Sequence, residues 1–237
     1  QIDAVRGLER SLAEQRHDRS LIQMATGAGK TFTAITAAYR LLAHGGFRRI
    51  LFLVDRNNLA DQTLAEFENY RLPGDGRRFT EVYPVDKLRR AGMRDSANVV
   101  ISTIQRVYAG LQGKEVPDSD DPMLDEFVPD RPVTVDYSAD LPPESFDLVI
   151  VDEAHRSVYA KYGEIFRHFD ALLVGLTATP KDEIDRNTYG LFGLEPGVPT
   201  DAYTLDEAVA DGFLVPPRGV SVGTTFLRRG TRYDQLP

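Results

Sequence analysis

Short, mostly apolar segments of five or six residues alternate along the chain with stretches in which apolar residues recur every three or four positions. The short runs are typical of strands buried on both faces, and the longer stretches have the period of amphipathic helices. The predicted strands cover residues 20–24, 49–54, 79–83, 98–102, 146–151 and 172–176. The predicted helices cover 1–14, 30–44, 59–70 and 85–91, with short helices after Thr103 and Thr204. Because strands and helices alternate, the pattern predicts an α/β fold with a parallel, doubly wound sheet and helices on both faces.

Local signals add detail to three of these helices. One face of the first helix is predicted to be formed by Ile2, Val5, Leu8 and Leu12. Asn57 and Asn58 precede the helix at 59–70, and either residue could be its N-cap. Thr204 and Glu207 have the spacing of a capping box, which predicts a helix start at that point.

Residues 113–145 interrupt the pattern. This segment contains six prolines and has no apolar periodicity. From Lys114 to Asp147, eleven acidic residues face two basic ones, a net charge of −9, which leaves +1 for the rest of a chain of net charge −8. We therefore predict a domain over residues 1–203 that carries an acidic surface insertion at 113–145. Residues 204–237 are predicted to be a linker helix and the start of a second domain.

The composition excludes several classes of protein. The 237 residues include no cysteine, which excludes a disulfide framework and a thiolate metal site. No apolar run reaches the roughly 18 residues of a membrane span, and no signal peptide heads the chain. These features favour a cytoplasmic location. Because the sequence begins inside a helical pattern and without a methionine, we expect it to be a piece of a longer protein.

The stretch Ala25–Thr31 reads Ala-Thr-Gly-Ala-Gly-Lys-Thr and lies between a predicted strand and a predicted helix. This is the context of a phosphate-binding loop, in which glycines turn backbone N–H groups toward phosphate oxygens. Lys30 would reach the β- and γ-phosphates of ATP, and Thr31 would bind Mg²⁺. Met24 stands where the pattern usually has its first glycine, and an ordinary glycine turn is the alternative. The predicted nucleotide-binding residues of the loop are Thr26, Gly27, Ala28, Gly29, Lys30 and Thr31.

A second polar motif, Asp152-Glu153-Ala154-His155, follows the predicted strand at 146–151. Asp152 would hold Mg²⁺, and Glu153 would position and deprotonate the attacking water. Adjacent acids at a strand end could also be no more than a solvated turn. The phosphate-binding loop about 120 residues upstream favours a site that hydrolyses Mg²⁺-ATP, with Lys30, Asp152 and Glu153 as its catalytic residues.

With Leu-Thr-Ala-Thr-Pro at residues 176–180, these two motifs resemble motifs I, II and III of superfamily-two DEAD/DEAH-box helicase-like ATPases. Four further phrases resemble the motor part of the restriction (R) subunit of type I restriction enzymes, and they lie at residues 50–62, 102–105, 152–157 and 206–216. The resemblance implies a RecA-like motor domain. It also implies that the parent protein is a DNA translocase driven by ATP, with Mg²⁺ as the metal.

The resemblance implies further roles for single residues. Gln1 matches a glutamine that contacts adenine, with an exposed helix glutamine as the alternative. His155, Thr177 and Thr179 match residues that couple the nucleotide state to the grip on DNA, and strand-end hydrogen bonding is the alternative for the threonines. The strand ending at Thr177 is expected to lie between the strands that carry the other two motifs. Matches to DNA-contacting motifs, with helix capping as the alternative, are Asp55, Arg56, Asn57, Thr103 and Gln105.

The implied partners are double-stranded DNA and the specificity and methyltransferase subunits of a type I restriction complex. Another interpretation is the corresponding domain of a different superfamily-two helicase that acts on DNA or RNA. A nucleotide switch without turnover is the third, but a switch does not need the water-positioning acid Glu153. On its own, the chain is expected to be nearly inactive, because an arginine finger from a second domain is worth about 10³–10⁵ in rate.

Overall fold

The computed structural model describes residues 2–88, 96–113, 132–155, 161–179 and 188–216. Within these ranges the strands are β1 (Arg19–Met24), β2 (Ile50–Val54), β3 (Val85–Lys87), β4 (Val99–Thr103), β5 (Leu148–Val151), β6 (Leu172–Thr177) and β7 (Asp201–Tyr203). They form one sheet in the order β3-β4-β2-β5-β6-β1-β7, and every neighbouring pair is parallel. The predicted parallel α/β sheet is therefore confirmed, and β6 lies between β5 and β1 as expected.

Helices cover both faces of the sheet. They are α1 (Ile2–Glu9), which continues as a π-helical turn at Arg10–Glu14, α2 (Lys30–His44), α3 (Asn57–Asn69), α4 (Phe79–Val82), α5 (Ile104–Leu111), α6 (Gly163–His168), α7 (Thr188–Leu191) and α8 (Leu205–Ala210). Successive residues of β2 illustrate the two faces, because Phe52 packs with α1 to α4 whereas Leu51 and Leu53 pack with α5 and α6. Side chains alternate between faces along a strand, so a strand buried on both sides reads as an uninterrupted apolar run.

The strand and the helix predicted between residues 79 and 91 were wrong, since a helix comes first in the structure and a strand follows it. Residues 79–83 were predicted as a strand and form the helix α4, whereas the helix predicted at 85–91 begins as the strand β3; residues 89–91 lie outside the described ranges. The backbone N–H of Arg78 donates to the Glu81 carboxylate at 3.0 Å, which closes a helical turn. This turn buries Phe79, whose ring lies 4.9 Å from that of Phe67. The i and i+3 spacing of Phe79 and Val82 fits a helix as well as the apolar alternation fitted a strand.

Smaller differences concern helix ends. The residue that caps α3 is Arg56, not Asn57 or Asn58, because Asn57 is already helical and buried. In the first helix Val5, Leu8 and Leu12 are buried as predicted, but Ile2 is exposed. The capping box at α8 is confirmed, since the backbone N–H of Thr204 donates to the Glu207 carboxylate at 2.7 Å.

The end of the predicted surface insertion contributes to the core. Val133 and Leu141 are buried and pack with residues of α5 and α6, whereas a surface position was expected for all of 113–145. The backbone N–H of Val133 donates to the Lys161 carbonyl, and Nε2 of His168 lies 2.8 Å from the Leu141 carbonyl oxygen. Residues 114–131 lie outside the described ranges. None of the helices described is long and apolar enough to cross a membrane.

Candidate functional site

The loop between β1 and α2 has the backbone of an anion-binding turn. Gly27 and Gly29 have φ angles of 82° and 88°, a left-handed backbone conformation that residues with a Cβ adopt only with strain. Gly29 is the N-cap of the 15-residue helix α2, whose first residue is Lys30. A glycine N-cap has no side chain with which to cap the first turn, so the N–H groups of that turn can face an anion. Thr26 and Gly27 are exposed at the tip of the loop, Ala28 is buried below it, and Thr31 is half-buried.

The start of this loop is held by the edge strand β7, which the sequence analysis did not predict. The backbone N–H of Ala25 donates to the carbonyl oxygen of Tyr203 at 3.0 Å. β7 pairs with β1 through only three residues, and Ile22 lies opposite Asp201. A strand of three residues with a mixed exposure pattern has too little periodicity to be recognised from sequence.

The acids of the second motif lie in a turn directly after β5. Glu153 has a φ of 49°, the left-handed region in which a residue other than glycine is strained. Two hydrogen bonds hold the turn: the N–H of Glu153 donates to Asp152 Oδ1, and the N–H of Ala154 donates to the Leu176 carbonyl oxygen, both at 2.9 Å. The second of these bonds attaches the turn to the end of β6.

A continuous chain of polar contacts joins all three motifs. Lys30 Nζ lies 3.0 Å from Glu153 Oε1, and the lysine side chain is only 10% exposed. The other oxygen of Glu153 lies 3.1 Å from His155 Nδ1, which is also 3.1 Å from the Thr177 hydroxyl. The N–H of Thr179 donates to that hydroxyl at 3.3 Å. Five of the residues predicted to act on the nucleotide or to couple its state to DNA therefore lie in one network.

Asp152 lies beside this network and has a perturbed acidity. Burial, followed by the charge of Glu153, raises the pKa of Asp152 to about 6, and Lys30 offsets part of this rise. A carboxylate under such repulsion favours a nearby cation. Oxygen ligands from Thr31 and Asp152 match the preference of Mg²⁺, which also keeps several waters and substrate oxygens in its shell. Within the described ranges no group of three or more His, Asp and Glu side chains could hold a metal by itself.

The residues predicted to contact DNA follow β2 and β4, which are neighbours, with Val54 opposite Thr103. The structure therefore places both groups at the same edge of the sheet, but their side chains differ in exposure. Asn57, Thr103 and Gln105 are buried, at 6%, 0% and 7% exposure. The Arg56 side chain is 58% exposed and lies 3.6 Å from the Asp55 carboxylate. Gln1 lies outside the described ranges.

A cavity of about 450 Å³ opens beside the phosphate-binding loop. Gly27 and Ala28 form one wall, and Tyr203 and Phe213 contribute aromatic side chains to the others. The remaining lining residues are Ile2, Asp3, Ala4, Asp201, Ala202 and Asp211. No role was predicted from the sequence for Tyr203, at the end of the predicted domain, or for Phe213, in the predicted link between domains at 204–237. The available signal was a phenylalanine directly after Gly212, at the end of the helix predicted after Thr204.

The sequence of this chain is similar to one family model and to several known proteins. A family model described as type III restriction enzyme, res subunit, matches residues 1–182. All of the chain aligns at 33% identity with the type I restriction enzyme EcoKI endonuclease subunit of Escherichia coli strain K12, and it covers 20% of that protein. The type I restriction enzyme EcoAI endonuclease subunit of Escherichia coli aligns at 32% identity over 86% of the chain and 22% of the relative. The chain thus spans about a fifth of the length of these relatives.

Solved structures support the same fold. A fragment of a putative HsdR subunit of a type I restriction enzyme from Vibrio vulnificus YJ016 superposes with a TM-score of 0.52 at 28% identity, over 88% of this chain and 30% of that one. A nuclease-deletion mutant of the type ISP restriction-modification enzyme LlaGI, in complex with a DNA substrate mimic, gives a TM-score of 0.52 at 22% identity. It aligns over 89% of this chain and 20% of that one, and at this identity it supports the fold alone. The expected RecA-like doubly wound fold is confirmed.

Proposed function

The chain belongs to the family of type III restriction enzyme res subunits, and from this premise we propose that it is the first RecA-like motor domain of an ATP-driven DNA translocase. The parent protein would be the R subunit of a type I restriction endonuclease, since the relatives described above are endonuclease subunits of such enzymes. The observation that carries the proposal is the 3.0 Å contact between Lys30 of the phosphate-binding loop and Glu153 of the acidic motif. A phosphate group on the loop would lie beside both residues.

In the proposed mechanism Lys30 exchanges its partner. The lysine ammonium pairs with Glu153 in this structure, and a triphosphate on the loop would draw it toward the β- and γ-phosphates. Glu153 would then lose its cationic partner and become a stronger proton acceptor. From its turn at the end of β5, it would position a water molecule and accept the proton as that water attacks.

Thr31 and Asp152 would hold Mg²⁺, which neutralises phosphate charge when it is bound. His155 and Thr177 would transmit the occupancy of the site. His155 Nδ1 contacts both the Glu153 carboxylate and the Thr177 hydroxyl. A movement of Glu153 would therefore shift the hydrogen bond at the end of β6. Thr179, whose N–H donates to the Thr177 hydroxyl, would be the next residue on that path.

DNA would lie along the carboxyl edge of β2 and β4. Of the five predicted DNA-contacting side chains, Arg56 has the surface and the charge to contact a phosphate, and Asp55 would orient it through their ion pair. The burial of Asn57, Thr103 and Gln105 limits their role to shaping the turns that present backbone groups. Phosphate contacts of this kind hold a duplex without reading its sequence, so specificity would come from a separate subunit of the complex.

The 237-residue chain by itself is proposed to hydrolyse ATP very slowly. ATPases of this type take an arginine finger from a second domain, and its absence costs about 10³–10⁵ in rate. Steady-state hydrolysis by the chain alone, with and without duplex DNA, measures this. Fast turnover that duplex DNA stimulates would mean that an arginine reaches the site from within the chain or from a second copy.

The translocase proposal is tested with the full-length protein, its specificity and methyltransferase partners, and two DNA substrates. ATP-dependent movement along a duplex should displace a third strand bound as a triplex. The same protein should leave a labelled strand annealed in a forked duplex, because none of the proposed DNA contacts separates base pairs. The Lys30→Ala protein serves as the control and should displace neither strand.

The opposite pattern would contradict the proposal. Release of the forked strand, with the triplex left in place, would favour a conventional superfamily-two helicase. Displacement of the triplex by the Lys30→Ala protein would show that the phosphate-binding loop does not drive the movement.

A further inference from the structure

The cavity beside the phosphate-binding loop is lined by acidic residues, and their negative charge limits which part of a nucleotide can enter it. Asp3, Asp201 and Asp211 line it, and no lysine or arginine is among its lining residues within the described ranges. Burial raises the pKa of the Asp201 carboxyl, and the charge of Asp3 adds to the rise. A phosphate would be repelled from such walls, whereas an uncharged ring that carries hydrogen-bond donors would not. The phosphates therefore belong on the loop and the rest of the nucleotide in the cavity.

The size and position of the cavity agree with this division. Its volume of about 450 Å³ lies in the usual range for small-molecule sites, about 300–1,000 Å³. Gly27 and Ala28 belong both to the phosphate-binding loop and to the cavity wall. A nucleotide with its phosphates on the loop can thus reach the cavity without crossing a barrier.

Phe213 is an exposed aromatic residue on a fixed backbone. Its side chain is 77% exposed although it lines the cavity. Gly212, with a φ of 77°, ends α8, and the N–H groups of Phe213 and Leu214 both donate to the Ala208 carbonyl oxygen at 3.0 Å. A large apolar ring held at the rim of a cavity gains from being covered, and a flat aromatic ligand in the cavity could cover it.

Two contacts attach this segment to the loop and to β7. A Cβ added to Gly27 would lie 3.4 Å from Leu214 Cδ2, so the leucine packs directly against the loop. The Tyr203 hydroxyl donates to the Asp211 carboxylate at 2.9 Å, which ties the end of α8 to β7. Because Asp211 before the ring and Leu214 after it are both anchored, the position of Phe213 relative to Gly27 is set by the fold.

We propose that Phe213 is a binding residue of the nucleotide site and stacks on the base of ATP. The inference rests on the proposed function and adds a contact that lies outside the phosphate-binding loop, the acidic motif and the strand end at Thr177. Stacking of a base on an aromatic side chain corresponds to about 5- to 150-fold in affinity. Loss of the ring should therefore weaken binding of ATP but not of its phosphate part alone.

The test compares two probes, Mg²⁺-ATP and Mg²⁺-tripolyphosphate, on the full-length protein by calorimetry. Phe213→Ala should raise the Kd for ATP about tenfold or more and leave the Kd for tripolyphosphate within about twofold of wild type. Phe213→Trp should retain ATP affinity, and Phe213→Leu should fall between, because leucine is apolar but has no aromatic face. Val215→Ala is the matched control, since Val215 is 84% exposed, lies two residues away and does not line the cavity.

Each contrary outcome has a distinct meaning. An unchanged Kd for ATP in Phe213→Ala would overturn the stacking contact. Equal weakening of both probes would overturn it as well, because the ring would then act through the shape of the loop. A wild-type protein that binds neither probe would contradict the proposed function itself, and the inference would fall with it. Binding of both probes by wild type and of neither by Lys30→Ala would support the proposed function, and loss of affinity for ATP alone in Phe213→Ala would then support the stacking contact.

Discussion

Replacing Asp152 by asparagine should stabilise the fold although it removes a residue of the site. Burial and the neighbouring Glu153 raise the pKa of Asp152 from 3.8 to about 6, which means that the folded protein resists ionising this carboxyl group. One pKa unit corresponds to about 1.4 kcal/mol, so the ionised side chain costs about 3 kcal/mol of folding free energy at pH 8. Asparagine keeps an oxygen that can accept the N–H of Glu153 and removes the charge.

The pH dependence of this gain has a definite sign. Between about pH 4 and pH 6 the folded state binds more protons at Asp152 than the unfolded state does, so the contribution of Asp152 to the stability of wild type falls as pH rises through this window. The gain from Asp152→Asn should be about 3 kcal/mol at pH 8 and about half of that at pH 5. Urea unfolding of the two proteins at both pH values, in the presence of a metal chelator, measures the difference.

The control is an aspartate-to-asparagine change at an exposed position. Asp140→Asn exchanges the same groups at an exposed position and should change the unfolding free energy by less than about 0.5 kcal/mol. If Asp152→Asn is no more stable than wild type at pH 8, or if its gain is the same at pH 5, then the carboxyl group is not strained by burial. In that case the charge of Asp152 would give this site no electrostatic preference for a cation.

Three further changes test the fold around the site. Gly175→Ala should lower the free energy of unfolding in urea by about 1–3 kcal/mol, because the added Cβ would lie 2.3 Å from the Phe192 ring. An unchanged midpoint of the urea transition would mean that the ring can move away freely. Thr204→Ala should cost about 1 kcal/mol through loss of the N-cap, measured as a lower melting temperature. Leu141→Ala should lower the free energy of unfolding by about 2–5 kcal/mol, because Leu141 is 3% exposed. Tyr137→Ala, at a residue that is 73% exposed, should lower it little. Equal effects of the two changes would mean that Leu141 is not part of the core.

The sequence was sufficient for the central sheet and for the position of the motifs at its edge. The strands β2 and β5 are continuous apolar runs, and β1, β4 and β6 each contain an apolar stretch of two or three residues that marks a buried strand. In a parallel sheet the ends of such strands meet at one edge, which brings Lys30 and Glu153 together although 122 residues separate them. The pairing of one oxygen of Glu153 with Lys30 and the other with His155 depends on side-chain geometry that no spacing encodes.

Short or half-exposed elements were the ones that the sequence did not predict. α4 and β3 have four and three residues, too few for either period to be distinguished from the other. Val133 and Leu141 belong to a stretch rich in proline and acid, and their burial comes from tertiary contacts with α5 and α6. The burial of Asn57, Thr103 and Gln105 was also not predictable, because polar residues after a strand can face either the core or solvent.

The most direct test of the account is to measure ATP binding and ATP hydrolysis separately in the full-length protein with duplex DNA. Lys30→Ala should lose both, whereas Lys87→Ala, which removes a lysine from the surface pair with Asp61, should lose neither. Glu153→Gln should bind ATP at least as tightly as wild type, because Lys30 no longer has a competing carboxylate, and its turnover should fall about 10²–10⁴-fold. Turnover at the wild-type rate in either Lys30→Ala or Glu153→Gln would contradict the claim that these two residues form the ATP-hydrolysing centre.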